Sequence, residues 1–214
     1  MRLIPLAAAV ALILFISAPS FAQEWIEYAN RGDFFSVNLP SQPKVKEITY
    51  GTEYAITLPG HVYTAEDGPS RYSVTVIDYT DTAIKHADHA KSCRANGGEG
   101  DQCRDRTAID LQAALDYAAW NLMQKAAKVT HFVYTEADQV AGHEVHLANA
   151  DGTRTFAMVY MHENRLYILE GTVPADDPPP LLFQQSMRFL DKDGAGIRYD
   201  STYFNGFPAP RRAR

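Results

Sequence analysis

An α+β fold, an antiparallel sheet packed against two helices, is predicted from three observations. Short apolar and β-branched runs come first and are separated by turn residues. A proline- and glycine-free stretch of helical period then occupies the middle of the chain. A second group of closely spaced strand-like runs follows, and short connections favour antiparallel pairing.

The elements follow in order. In Phe34-Phe35-Ser36-Val37-Asn38-Leu39, Phe35, Val37 and Leu39 share one face at period two, and Pro40-Ser41-Gln42-Pro43 stops the strand. Lys44 to Tyr50 and Glu53 to Leu58 form a hairpin around Gly51. Arg71 to Tyr79 is rich in β-branched and aromatic residues, with Tyr72, Val74 and Val76 opposite Ser73, Thr75 and Ile77. A short helix is expected at Thr82 to Ser92. The long helix runs from Ile109 to Lys128, capped by Thr107, with Leu111, Leu115, Ala118 and Leu122 as its apolar stripe.

Four strands come next: Val129 to Tyr134, His143 to Ala148, Thr153 to Met161 and Leu166 to Thr172. Their turns are Ala141-Gly142, Asp151-Gly152 and Glu163-Asn164. Asp177 then caps a last helix through Pro178, Pro179 and Pro180, with Phe183, Met187 and Leu190 as its buried stripe and Gly194 and Gly196 at its end. The tail from Ile197 is irregular and aromatic, and Tyr199, Tyr203, Phe204 and Phe207 are expected to pack back.

The first 22 residues have the make-up of a secretory signal. Met1-Arg2 precedes an apolar run from Leu3 to Ile16, and small residues stand at Ser20 and Ala22. Cleavage after Ala22 leaves 192 of the 214 residues. The expected organisation is a signal peptide at 1–22, a single α+β domain at 23–192 and an irregular tail at 193–214. No later segment approaches the roughly 18 apolar residues of a membrane span. The expected product is soluble and periplasmic or secreted, without stable membrane insertion after cleavage. Without Arg2 it carries 19 basic against 26 acidic residues, a balance that argues against general nucleic-acid binding.

The two cysteines, Cys93 and Cys103, enclose a segment with three glycines. In an oxidising compartment this spacing predicts a structural disulfide rather than a redox centre, which favours C-x-x-C.

Taken together, an exported domain with the strand Phe35-Ser36-Val37-Asn38-Leu39-Pro40, a long middle helix, a β meander and the terminal Phe183-Gln184-Gln185-Ser186-Met187-Arg188-Phe189 resembles the PsbP-like α/β/α sandwich family. The resemblance spans roughly residues 30–192 by element order, and its short motifs are mostly structural. It implies a noncatalytic accessory or binding domain of an envelope compartment, and it transfers no functional residues.

Direct chemical signals are few. His86, His89 and Cys93 at i, i+3 and i+7 share one helix face and form a candidate zinc or copper site. The competing reading places Cys93 in the disulfide and leaves two solvated histidines. His143 and His146 face opposite sides of an ideal strand. His61, His131 and His162 are isolated in sequence. No Gly-x-Ser-x-Gly elbow occurs, and Gly97–Gly100 lacks the lysine of a phosphate loop. Arg31-Gly32-Asp33 matches an adhesion tripeptide whose simplest reading is a turn. The expectation is a binding or accessory protein without catalysis or cofactor, acting on an envelope protein or a small ligand. The alternative is a metal-handling protein or metal-dependent enzyme using His86 and His89.

Overall fold

A computed structural model describes residues 24–213; the signal peptide expected at 1–22 lies outside them. Two antiparallel sheets and a helical layer are stacked. The smaller sheet has the order β1-β2-β10-β11, built from Ile26–Asn30, Phe35–Leu39, Arg188–Leu190 and Gly196–Ile197. The larger has the order β3-β4-β5-β9-β8-β7-β6. Its strands are β3 (Lys44–Gly51), β4 (Thr57–Asp67), β5 (Ser70–Asp78), β6 (Lys128–Ala137), β7 (Val140–Ala148), β8 (Arg154–His162) and β9 (Arg165–Val173). On the helical side lie α1 (Thr82–Ala95) and α2 (Thr107–Lys125), joined through a 3-10 turn at Gly100–Cys103.

Strand alternation divides the interior into two cores. Tyr72, Val74, Val76, Tyr167 and Leu169 face the small sheet, where they meet Phe35, Val37 and Phe189. Ile77, Leu166, Ile168, Ala157 and Val159 face the helices, where they meet Ala114, Ala118 and Leu122. The central strands are therefore buried on both faces.

Several boundaries differ from the sequence reading. The strand expected at Glu53 to Leu58 begins at Thr57 and runs through Pro59 and Gly60 to Asp67. Gly60 is required there because a Cβ would stand 2.6 Å from the Val76 carbonyl oxygen. Ala141-Gly142 is not a turn. Asp138 and Gln139, both at positive φ, make the turn from β6 to β7, and Gly142 leaves room for the Tyr160 ring. Thr107 begins α2 rather than capping it; its backbone N–H and hydroxyl both donate to Asp105.

The last helix is reduced to one turn, α3 (Leu181–Gln184). The Ser186 hydroxyl donates to the Phe183 carbonyl and accepts the Asn38 N–H, turning the chain so that β10 pairs with β2. Phe183, Met187 and Leu190 are buried as expected, by a different backbone path. The second packed helix is instead α1, beside α2. In the tail, Tyr199 and Tyr203 are buried whereas Phe204 and Phe207 are exposed.

Candidate functional site: the flanks of the long helix

A seven-stranded sheet is about 29 Å across, whereas a helix with its side chains is about 10–12 Å wide. One long helix cannot cover such a face. The α2 helix packs on β7, β8 and β9, leaving an open flank on each side.

On the β3–β5 side the flank is a cleft of about 380 Å³. Its apolar walls come from Ile48, Val62, Ala118, Leu122 and Ile168, and its polar groups from Tyr50, Asn121, Lys125 and Glu170. Glu170 shares the helix-facing parity of Leu166 and Ile168, which places a carboxylate on an apolar surface. Burial raises its pKa, and Lys125 partly offsets this. The Tyr50 hydroxyl is buried without a hydrogen bond of normal geometry among the described residues, although Asn121 stands beside it. Burial pushes its pKa up to about 12. An apolar cavity with a few polar groups converging on it is the usual make-up of a small-molecule site.

A second cavity, of about 290 Å³, brings His86 and His89 together with Tyr54, Gln102, Arg104 and Arg106. His86 is buried, and its Nε2 lies 2.8 Å from Asp110 Oδ2, which also accepts the Thr52 hydroxyl. This network joins α1, α2 and the β3–β4 turn. The sulfurs of Cys93 and Cys103 are bonded, with Cα atoms 5.4 Å apart. Cys93 is thus withdrawn from the expected metal face. Among the described residues, no group of three or more His, Cys, Asp or Glu side chains could hold a metal ion.

The remaining histidines are less isolated than the sequence suggests. His61 Nδ1 lies 2.8 Å from Asp33 Oδ2, which also accepts the Tyr63 hydroxyl. The third residue of Arg31-Gly32-Asp33 is therefore engaged inside the fold, as a turn residue should be. His143 pairs with Asp116 of α2, and His146 with Glu144 on the opposite face. His131 packs its ring on His146 at 4.7 Å. His162 is buried against Tyr199.

Reading the sequence did not select Tyr50, Asn121, Lys125 or Glu170. One of them carried a signal. Glu170 interrupts the apolar run Leu166-Tyr167-Ile168-Leu169 at a core-facing position.

The structure is similar to the solution structure of cyanobacterial PsbP (CyanoP) from Synechocystis sp. PCC 6803, with a TM-score of 0.41 and 10% sequence identity, covering 82% of this chain and 98% of that one. The likeness is one of fold. No protein-family model and no curated protein matches the sequence. Among the described residues, no helix is long and apolar enough to cross a membrane.

Proposed function

We propose that this chain is an exported binding protein without catalytic activity of its own, and that the cleft beside α2 holds its ligand. The observation that carries the reading is the junction of apolar walls with the Tyr50 hydroxyl and the Glu170 carboxyl. A buried polar atom such as the Tyr50 hydroxyl costs free energy in such walls unless a ligand or water satisfies it. The ligand class that fits is a small amphiphile, with an apolar body along Ile48, Val62 and Ile168 and a hydrogen-bonding head towards Glu170. The signal-like first 22 residues and the cysteine pair support export.

Nile red, a neutral apolar dye, tests the site by fluorescence titration. Saturable one-to-one binding is expected. Val62→Trp and Asn121→Phe fill the cleft from its two walls, and both positions are only half-buried. Each is expected to weaken the dye by about tenfold, equivalent to about 1.4 kcal/mol. Undiminished dye binding by both variants, with melts like that of the parent chain, would remove the cleft from consideration.

A further inference from the structure

The cleft beside α2 makes no use of the cavity at His86 and His89, whose lining is basic in a chain of net charge −6. Arg104 and Arg106 reach it from the segment before α2, His86 and His89 from α1, and Gln102 from the 3-10 turn. Tyr54, between β3 and β4, adds its side chain. Glu53 is the acidic member of the lining, and it is exposed. Nearby Asp105 is already engaged by the Thr107 N–H and hydroxyl.

Several of these donors are held in place. The Arg106 guanidinium donates to the Asp101 carbonyl and lies over the Tyr54 ring, 5.5 Å from its centre. Most of its N–H groups stay free. The Cys93–Cys103 bond ties the 3-10 turn to α1, and Arg94 donates to the Cys103 carbonyl. Arg104 therefore leaves from a fixed point. Its own side chain is exposed and makes no hydrogen bond or ion pair among the described residues. His86 is 1% exposed, and its Nε2 is taken up by Asp110. Its Nδ1 makes no hydrogen bond among the described residues, so that nitrogen is what the buried ring offers an occupant.

Two guanidinium forks with amide and imidazole groups, drawn from separate segments, suit an anion with several oxygens. Phosphate fits them better than sulfate does. Nδ1 accepts a hydrogen bond from P–O–H, or donates one to P–O⁻ when the ring is protonated, and free phosphate at neutral pH carries both groups. We propose that this cavity binds inorganic phosphate, with Arg104 and Arg106 on its charged oxygens and His86 Nδ1 beside its hydroxyl. The site is separate from the cleft and does not depend on it.

An NMR titration of the purified chain with inorganic phosphate, against chloride at constant ionic strength, tests this. Saturable shifts are expected at the His86 and His89 rings and at the amides from Gln102 to Thr107. Sulfate, which lacks the hydroxyl, is expected to bind about tenfold more weakly. Arg104→Gln is expected to weaken phosphate by about tenfold. Lys91→Gln removes an exposed charge of α1 outside the lining and is expected to change nothing. The amide spectrum of each variant reports its fold directly. Phosphatidate vesicles, which carry phosphate as a lipid monoester, are expected not to sediment the chain. Shifts that do not saturate, equal losses in the two variants, sulfate as tight as phosphate, or vesicle binding that Arg104→Gln removes overturns the proposal.

Discussion

His162 closes β8 inside the core that faces the small sheet, with its ring 4.6 Å from Phe189 and 5.0 Å from Tyr203. Its Nε2 lies 2.8 Å from the Tyr199 hydroxyl. Burial holds its pKa down at about 3, and the nearby Arg212 and Arg165 act in the same direction. In the unfolded chain an imidazole titrates near 6.5. The folded value is the lower one, so this contribution to stability is fully present above pH 6.5 and is lost as pH falls towards 3. At about pH 4.5 the loss is on the order of 2–3 kcal/mol. Denaturant titrations at about pH 7 and pH 4.5 should show it, and His162→Gln should flatten that part of the pH dependence. An unchanged acid sensitivity would mean that other groups carry it.

Among the elements, α2 shows how a correct helix can carry a shifted face. The sequence places Leu111, Leu115, Ala118 and Leu122 inward, whereas the buried positions are Asp110, Ala114, Ala118, Ala119 and Leu122. Leu111 and Leu115 lie half-buried at the helix margin. The helix is rotated because Asp110 turns inward to meet His86 and Thr52, an attraction that hydrophobic periodicity does not register. Leu122→Asp buries a carboxylate in the core and should cost several kcal/mol. Leu115→Asp, at the margin, should cost less than half as much. Thermal melts of the two variants decide, and equal shifts would contradict the observed rotation.

The whole molecule rests on two cores, and α1 depends least on either. Its buried residues are Thr82, His86 and Ala90, and Ile84 is 62% exposed. The helix is fastened instead by the Thr82 hydroxyl on the Tyr79 carbonyl, by His86 on Asp110, and by the disulfide near its end. Gly98 packs so closely over the two sulfurs that a Cβ would stand 2.5 Å from Cys93 Sγ. Replacing both cysteines by serine should cost roughly 2–3 kcal/mol while leaving the chain folded. Hydrogen exchange should then quicken in α1 and the 3-10 turn but not in β5, β8 and β9. Equal loss of protection across the large sheet would show that the bridge supports the whole fold.

The residues alone determined much of this architecture. The α+β class, the strand Phe35–Leu39, the meander from β6 to β9, the long middle helix and the Cys93–Cys103 pair were all legible in them. Each is set by local periodicity, turn chemistry or short chain separation. The tertiary structure decided the rest. The segment after Pro180 has apolar spacing that suits a helix, but its Ser186 hydroxyl and the free side of β2 draw it into a second sheet. Gly142 reads as a turn until the Tyr160 ring is seen to need its space. The cleft draws on β3, β4, β5, β9 and α2, elements spread across more than half of the chain. No local pattern can show that a sheet wider than its covering helix leaves Glu170 and the β6 edge open, because that depends on how the layers stack.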